Sequence, residues 1–354
     1  MTGTAAEPDE SAHTWPRLLG ELVAGHDLNA VDTAWAMDQI MSAAATPAQV
    51  AAFAVALRAK GETAAEIAGM AKSMLAHARR VEVDQRCVDV VGTGGDRSGS
   101  VNISTMAAIV TAAAGVPVVK HGNRAASSKC GAADVLERLG VRIELAPAQV
   151  QACLRELSIG FCFAPVFHPS YVHAAAPRRE VGIPTAFNVL GPLTNPAQPA
   201  AGLIGCANER MAPVLARVFA DRGASVLVVR GDDGLDEITT SGATSAWVVR
   251  DGQVHTARIE PTELGITLAS PAELRGGDPE TNARAVRDLV HGKPGPVRDA
   301  VLLNAAGTLA AYRGLTDDVH ADLREGLRKG TEAVDSGAAA ELLARWAEFS
   351  TSLG

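Results

Sequence analysis

Five short apolar runs, alternating with helical patterns through the middle of the chain, constrain the fold more than any other feature of this sequence. Continuous apolar strands separated by helices are typical of a largely parallel sheet covered by helices on both faces. The predicted strands are Cys87–Val91, Val116–Val119, Ile159–Ala164, Leu203–Cys206 and Val226–Val229. Farther along, Asp251-Gly252 separates two more apolar runs and predicts a β-hairpin, because Asp-Gly suits a type I′ turn.

A different pattern occupies the chain before about residue 80, where we predict helices only. Thr46-Pro47-Ala48-Gln49 and Thr63-Ala64-Ala65-Glu66 each combine a capping hydroxyl with a Gln or Glu that can cap in return. A further helix is expected over Ala30–Met41. The sequence therefore predicts a disordered N-terminus over residues 1–12, a small helical domain over residues 13–82 and a large α/β domain over residues 83–354.

Composition and charge exclude several classes of protein. The chain is 47% hydrophobic and 20% charged, with a formal net charge of −8. That charge argues against a nucleic-acid-binding protein, which needs a basic surface to replace counterions. We find no apolar run long enough to span a membrane. The five cysteines form no Cys-x-x-Cys pair, so we expect free, buried thiols and a reducing cytoplasm.

The first predicted strand ends in a glycine-rich loop, Gly92-Thr93-Gly94-Gly95-Asp96. Glycines let the backbone turn tightly and approach a ligand closely. The polar run Asn102–Thr105 then opens a helix, whose N-terminal N–H groups can hold an anion. We predict a phosphate site here, with an ordinary strand-to-helix turn as the alternative. The dinucleotide-binding fingerprint is not met, since it needs a third glycine where Arg97 stands.

A second polar segment follows the strand Val116–Val119. Lys120-His121-Gly122-Asn123-Arg124 leads into Ser127, Ser128 and Lys129. Ligands of parallel sheets gather at the carboxyl ends of the strands, so the two polar segments should face one crevice. Cations and hydroxyl donors together suit a ligand with several phosphates, whereas either segment alone could be a solvated turn.

An acidic segment, Gly231–Glu237, follows the strand Val226–Val229 and should lie over the same crevice. Carboxylates beside phosphates repel them unless a divalent cation lies between. Magnesium typically binds through one or two carboxylates, waters and substrate phosphates. A solvated acidic turn is the alternative.

A third region contains Arg178-Arg179-Glu180, where an arginine could form a forked pair with a planar carboxylate. An exposed helix face is the alternative. From the residues alone, the sequence predicts a magnesium-dependent α/β enzyme that acts on a polyphosphorylated compound.

Taken in order, these segments resemble the anthranilate phosphoribosyltransferase family. The resemblance runs through Gly92–Asp96, Asn102–Thr105, Lys120–Lys129, Arg178–Pro196, Asp236-Glu237 and Leu302–Ala306. It implies a small all-helical N-terminal domain plus a large α/β domain with a mostly parallel central sheet, as in nucleoside phosphorylases and phosphoribosyltransferases. It also implies that a mid-chain segment near residues 170–195 joins the helical domain.

The activity that the resemblance implies belongs to tryptophan biosynthesis. The amine of anthranilate attacks C1 of 5-phosphoribosyl 1-diphosphate (PRPP), giving N-(5-phosphoribosyl)anthranilate and pyrophosphate. The implied cofactor is Mg2+, and the implied assembly is a homodimer formed through the helical domain, without nucleic-acid or membrane partners.

The resemblance also assigns site residues by position. Those implied to hold PRPP are Gly92, Gly95, Asp96, Ser100, Asn102, Ile103, Ser104, Thr105, Lys120, His121, Gly122, Asn123, Arg124, Ala125, Ala126, Ser127, Ser128 and Ala132. Those implied to contact anthranilate are Gly92, Asn123 and Arg178, and those implied to hold magnesium are Ser104, Asp236 and Glu237. The implied catalytic groups are Lys120, Asn123 and Arg178.

Two positions depart from the family pattern. Val172 stands where the family usually has a basic residue, and Pro177 stands where it usually has a small or branched apolar one. Proline is expected to disfavour a helix at Ala176 and so to affect the placement of Arg178. The alternatives are a pyrimidine nucleoside phosphorylase-like enzyme, a phosphoribosyltransferase with a different aromatic acceptor, and a non-catalytic relative that binds nucleic acid.

Overall fold

The computed structural model describes residues 13–125 and 128–354, so the expectation for residues 1–12 lies outside the described residues. The α-helices are α1 Trp15–Val23, α2 Ala30–Met41, α3 Pro47–Lys60, α4 Ala64–Ala76, α5 Ile103–Ala113, α6 Ala132–Arg138, α7 Pro147–Leu157, α8 Ala164–Phe167, α9 Val172–Val181, α10 Leu190–Leu193, α11 Ala212–Asp221, α12 Pro279–Val290, α13 Pro296–Arg313, α14 Val319–Asp335 and α15 Ala338–Ser352. The strands are β1 Val88–Gly92, β2 Val118–Gly122, β3 Ile159–Phe163, β4 Ala201–Gly205, β5 Ser225–Gly231, β6 Thr244–Arg250 and β7 Gln253–Ile259.

The chain divides into two compact units. The first extends to His77 and includes the segment Ser170–Phe187, and the second comprises Ala78–Pro169 and Asn188–Gly354. Within the described ranges, no helix is both long and apolar enough to cross a membrane.

The first unit is built from α1–α4 and α9, with both predicted capping boxes at its helix starts. The hydroxyl of Thr46 accepts from the Gln49 N–H at 3.3 Å, and the Thr63 hydroxyl accepts from the Glu66 N–H at the same distance. Each Gln or Glu side chain accepts the cap residue's own N–H in return. Phe53 and Met37 are fully buried in the core of this unit.

Helix α9 corrects the expectation about Pro177. The helix runs without interruption from Val172 to Val181, with Pro177 inside it and buried. Proline offers no N–H to the carbonyl four residues earlier, yet the flanking turns keep Ala176 helical. Arg178 therefore lies on a regular helix.

The second unit contains a seven-stranded sheet in the order β3-β2-β1-β4-β5-β6-β7. The first five of these strands pair in parallel, as the apolar runs predicted. Strands β6 and β7 form the predicted hairpin, with Arg250 opposite Gln253. Its turn residues Asp251 and Gly252 both have positive φ, 50° and 71°, as a type I′ turn requires.

All five predicted strands differ from the observed ones at one end or both, and the end of β2 differs most. Strand β2 continues to Gly122, so Lys120 and His121 lie within the sheet instead of in a loop beyond it. Both side chains are buried, at 2% and 4% exposure. The pattern failed here because a lysine and a histidine interrupt the apolar run, although their side chains find partners inside the protein.

The order of the strands reverses beside β1, which positions the site. Chain connections lead from β1 through β2 to β3 on one side, and β4 then returns to pair with β1 on the other. Ligands of open parallel sheets bind outside the carboxyl ends of the strands at such a reversal. The carboxyl ends of β1 and β4 are Gly92 and Gly205, which are register partners.

Candidate active site

Asp236 lies directly over the carboxyl ends of β1 and β4, in space that two glycines leave free. A Cβ at Gly92 would lie 2.1 Å from Asp236 Oδ2, and a Cβ at Gly205 would lie 1.5 Å from the Asp236 carbonyl oxygen. The Gly94 N–H donates to Asp236 Oδ2 at 2.7 Å, which ties the glycine-rich loop to this carboxylate. The sequence predicted that the two segments share a crevice, and the structure brings them into contact.

Gly92→Ala is expected to lower turnover by about tenfold or more while the protein stays folded. The added methyl group would displace the Asp236 carboxylate, and moving a group of the active site by about an ångström lowers the rate by a factor of that size. The new methyl group would collide chiefly with the end of the Asp236 side chain, which can move. Gly242→Ala is the matched control, since a Cβ there meets nothing within 4 Å. Steady-state kinetics and thermal unfolding of both variants measure this, and an unchanged turnover for Gly92→Ala would contradict it.

Asp236 and Glu237 form a buried carboxylate pair, at 8% and 9% exposure. Burial, together with the nearby Asp96, raises the pKa of Asp236 to about 7. Burial and the neighbouring Asp236 also raise the pKa of Glu237 well above its usual value. The Ser104 N–H, in the first turn of α5, donates to Glu237 and opposes that rise.

Lys120 supplies positive charge beneath this pair. Its Nζ donates to the Val90 carbonyl at 2.6 Å and to Ser104 Oγ at 3.2 Å. Burial lowers the pKa of Lys120, and the carboxylates of Asp89, Glu237 and Asp236 oppose that change. One ammonium group thus faces more than one carboxylate, and the cluster carries excess negative charge when its acids are ionised.

This excess charge and the chemistry of the donors fit a divalent cation. Asp236, Glu237 and the Ser104 hydroxyl offer only oxygen, the ligand type that magnesium prefers. Among residues 13–125 and 128–354, no three His, Cys, Asp or Glu side chains converge as a complete metal cage. Magnesium requires only one or two carboxylates when waters and substrate phosphates complete its shell.

The glycine-rich loop is shaped by backbone conformations that favour glycine. Gly94 and Gly95 have φ of 70° and 85°, in the left-handed region. Beyond them, Asp96 Oδ1 accepts the Ser98 N–H at 3.3 Å, and the Ser98 hydroxyl donates to Ser100 at 3.1 Å. These contacts shape the loop, and the Gly94 N–H holds it beside the carboxylate cluster.

Helix α5 begins directly after Asn102, whose side chain does not cap it. Ile103 and Thr105 are buried, whereas Ser104 is half-buried and lies beside Lys120. The Thr105 hydroxyl is buried and has no hydrogen-bond partner in the described parts of the chain.

The second loop is closed by Asp134 in the first turn of α6. One carboxylate oxygen of Asp134 accepts the Ala125 N–H at 3.0 Å and the Gly131 N–H at 2.8 Å. A Cβ at Gly131 would lie 2.3 Å from the Ala125 nitrogen, so the loop needs glycine to close. Ala126 and Ser127, predicted to hold PRPP, lie outside the described residues.

Arg124 and Asn123 stand at the entry of this loop. The Arg124 guanidinium is paired with Asp134 and Glu137 and lies 5.4 Å from the Phe163 ring, so protein groups already balance its charge. Asn123 is exposed, and its Oδ1 accepts the Arg124 N–H at 2.7 Å. Gly122 ends β2, Ser128 donates to the Cys130 carbonyl at 3.3 Å, and Ala132 opens α6.

His121 packs against His168, with ring centroids 5.1 Å apart. Its Nδ1 lies 3.0 Å from the Gly191 carbonyl and donates to it. Burial and the neighbouring His168 lower the pKa of His121 to about 3. His121 is therefore neutral near pH 7 and a poor base, which indicates a structural role.

Arg178, in the helical unit, is fixed by two aromatic rings. Its guanidinium carbon lies 5.2 Å from the Tyr171 ring centroid and 5.5 Å from that of Phe187, and Nη1 donates to the Tyr171 hydroxyl. The Tyr171 hydroxyl in turn lies 3.4 Å from the Phe187 carbonyl. Such contacts hold the planar fork in one orientation.

Sequence reasoning missed two residues that hold the cluster in place. Asn304 on α13 is fully buried, accepts the Ile238 N–H and donates to the Ile238 carbonyl, both at 2.9 Å, just after the carboxylate pair. Asp89, buried in β1, accepts from Asn195 at 2.7 Å and from the His121 N–H at 3.3 Å. In the sequence, Asn304 stands out as an asparagine within an apolar helix, and Asp89 as a charged residue within an apolar strand.

Comparison with known proteins agrees with this geometry. A family model described as "Glycosyl transferase family, a/b domain" matches residues 84–340, and one described as "Glycosyl transferase family, helical bundle domain" matches residues 16–78. The fold and site therefore define a glycosyl transferase of the class that combines a helical bundle with an α/β domain.

Individual relatives narrow the class. The anthranilate phosphoribosyltransferase of Saccharopolyspora erythraea is 67% identical, and the match covers 97% of each chain. The crystal structure of the Thermus thermophilus enzyme has a TM-score of 0.88 at 40% identity and covers 94% of this chain and 99% of that one. The Saccharomyces cerevisiae enzyme in complex with PRPP and Mg has a TM-score of 0.87 at 28% identity and covers 98% and 99%. The chain belongs to the anthranilate phosphoribosyltransferase family.

Proposed function

We propose that this protein transfers the phosphoribosyl group of PRPP to the amine of anthranilate, releasing pyrophosphate, as a step of tryptophan biosynthesis. The observation that carries the proposal is the cluster of Lys120, Asp236 and Glu237 at the carboxyl ends of β1 and β4, beside a glycine-rich loop. The family relationship supports anthranilate as the acceptor.

The difficult event in this reaction is the departure of pyrophosphate, which leaves C1 of the ribose with cationic character. The aromatic amine of anthranilate is uncharged at neutral pH and needs no strong base to remove a proton first. The residues near the site agree with this, because His121, with its pKa lowered to about 3, is unsuited to that task. We infer that catalysis is mainly orientation and electrostatic stabilisation of the leaving group.

Asp236, Glu237 and the Ser104 hydroxyl are the proposed holders of magnesium. When bound, Mg2+ would supply positive charge to the pyrophosphate as it leaves. Lys120 offsets part of the charge of the two carboxylates and orients the Ser104 hydroxyl through its 3.2 Å contact. The first and second loops and the start of α5 would hold the phosphates of PRPP through N–H and hydroxyl donors.

Gly92, Asn123 and Arg178 are the proposed contacts of anthranilate. Gly92 ends β1, and its missing side chain leaves the room that the Asp236 carboxylate occupies there. Asn123 is exposed at the end of β2, and its amide nitrogen can donate to a polar substrate. The oriented fork of Arg178 suits the carboxylate of anthranilate.

The first experiment follows the fluorescence of anthranilate when PRPP is added to the purified protein. We expect the fluorescence to fall only when magnesium is present and to stop falling when a chelator is added. The carboxylate cluster is negatively charged and cannot stabilise pyrophosphate, which is also an anion, without a cation. If fluorescence persists although calorimetry shows PRPP binding, the protein is a phosphoribosyltransferase with another acceptor. If the fluorescence persists and calorimetry shows no binding of PRPP, the proposed function is wrong.

We also propose that the protein is a homodimer formed through its helical unit. Val23 and Val31 of this unit are 80% and 64% exposed, which is unusual for apolar side chains and is explained if a second copy covers them. Light scattering of the purified protein measures the mass, and a monomer at micromolar concentration would refute this assembly.

The proposed location is the cytoplasm. All five cysteines are buried free thiols, as predicted. Free thiols are usual in reducing compartments. Fractionation of the source cells tests the location, and recovery of the protein outside the cytoplasmic fraction would refute it.

A further inference from the structure

The start of α5 is connected to α12, far along the chain, through a buried asparagine. We propose that Asn282 is a positioning residue of the PRPP site, which sets the orientation of Asn102 and thereby the spacing between the first and second loops. The inference rests on the proposed function, because it gives Asn282 a role only through the loops assigned to PRPP.

Both ends of the Asn282 side-chain amide form hydrogen bonds within the protein. The residue is 2% exposed on α12. Its Oδ1 accepts the Gly277 N–H at 2.7 Å, and its Nδ2 donates to Asn102 Oδ1 at 2.8 Å. Since a backbone N–H can only donate, the contact with Gly277 fixes which end of the amide is oxygen.

Asn102 continues the connection to the second loop. Its Nδ2 donates to the Cys130 carbonyl at 3.1 Å. Cys130 directly precedes Gly131, the residue that closes the second loop against Ala125. The two asparagines therefore link the end of the first loop, the end of the second loop and the segment before α12.

The backbone supports the same connection. The Val101 N–H donates to the Leu274 carbonyl at 2.9 Å, and the Gly276 N–H donates to the Gly99 carbonyl at 2.8 Å. A Cβ at Gly276 would lie 2.6 Å from Asn282 Oδ1 and 2.9 Å from the Ser100 carbonyl oxygen. The segment before α12 thus lies directly against the end of the first loop.

These contacts explain why Asn102 does not cap its own helix. An asparagine before the first turn usually accepts an N–H of that helix, but Asn102 makes no such bond. Its side chain is used by Asn282 and Cys130 instead. The side chain of Asn102 therefore takes none of the first N–H groups of α5, of which that of Ile103 donates to the Val101 carbonyl at 2.7 Å and that of Ser104 donates to Glu237.

A purely structural role is the competing explanation, in which Asn282 serves only to hold Gly277. Two substitutions separate the roles. Asn282→Asp keeps the oxygen that accepts from Gly277 and, when ionised, loses the donor to Asn102. Asn282→Ala loses both contacts. A positioning role predicts that both variants raise the KM of PRPP. A structural role predicts that only Asn282→Ala raises it.

The experiment measures the KM of PRPP, the KM of anthranilate and kcat for the full-length protein with saturating magnesium. It is run at about pH 8.5, so that the new carboxyl group is ionised even with a raised pKa. We expect both variants to raise the KM of PRPP by about tenfold or more, the size of one lost buried hydrogen bond. The KM of anthranilate should rise less, because Gly92 and Asn123 lie at the starts of the two loops, whereas Asn102 and Cys130 lie at their ends. Lowering the pH should move the KM of PRPP for Asn282→Asp toward the wild-type value, because a protonated carboxyl regains a donor.

Ser350→Ala is the matched control. Ser350 is also fully buried in the α/β unit and accepts one N–H, that of Arg142, at 3.0 Å, away from both loops. The Ser350→Ala variant should be less thermally stable than the wild-type protein and should have the same KM of PRPP. A wild-type KM of PRPP for Asn282→Asp at about pH 8.5 would overturn the inference. Failure of the wild-type protein to turn over anthranilate and PRPP would instead overturn the proposed function.

Discussion

Turnover is expected to fall by about a thousandfold or more when Asp236 and Glu237 are replaced together by Asn and Gln, because stabilisation of a leaving group by a bound metal contributes several kcal/mol. The amides keep the shape of both side chains, and Asn at position 236 can still accept the N–H of Gly94. What they remove is the negative charge that would hold magnesium at the carboxyl ends of β1 and β4.

The same substitutions should leave the fold intact. Both carboxylates are buried, and burial raises both of their pKa values, so their charges are unfavourable in the protein without a cation. Neutral amides relieve that repulsion, and we expect the melting temperature of the double variant to be unchanged or higher. Loss of activity together with loss of folding would contradict this interpretation.

The control for this pair is Asp232→Asn, in the same acidic segment. Asp232 is exposed and paired with Arg258, so its charge is compensated by the protein. It should keep normal turnover and a normal magnesium requirement. Kinetics over a magnesium titration compare the variants, and normal turnover of the double variant at saturating magnesium would refute the proposed metal role.

Most of the framework could be predicted because local patterns and tertiary structure agree. The apolar runs became strands, and the Thr46 and Thr63 sequences became capping boxes, since each depends on neighbours within a few residues. Asp251-Gly252 became a turn for the same reason. The shared crevice followed from a rule about parallel sheets, which needs only the order of the elements.

The misplaced features depend on contacts between distant residues. Lys120 looked like a loop residue, and only the carbonyl of Val90 and the hydroxyl of Ser104 explain how an ammonium group lies inside the sheet. Arg124 looked like a free cation, but its partners Asp134 and Glu137 come from the next helix. A single sequence shows the charges and does not show which of them are paired.

Pro177 shows a different limit. The rule that proline disfavours a preceding helix is a local preference of modest size. In α9 it is overridden, since the helix also packs against α2 and α3 within its unit. The departure at Pro177 therefore does not displace Arg178 from a helix, and the case for Arg178 as the anthranilate contact is stronger than the sequence alone allowed.

Arg178→Ala is accordingly expected to raise the KM of anthranilate by about a hundredfold, the effect of losing a forked, charge-assisted pair worth about 3 kcal/mol. The KM of PRPP should change little. Arg179→Ala is the matched control, because Arg179 is the next residue of the same helix and is exposed. Initial rates with each substrate varied in turn measure both constants.

The contacts of Arg178 with Tyr171 and Phe187 allow a second test of its role. Both rings contact the guanidinium of Arg178, and the Tyr171 hydroxyl accepts a hydrogen bond from it. Tyr171→Phe keeps the ring and removes that acceptor, so it should raise the KM of anthranilate less than Arg178→Ala does, by about the cost of one hydrogen bond. An equal rise in the KM of both substrates for Arg178→Ala would mean that Arg178 supports the fold of the helical unit and does not bind the acceptor.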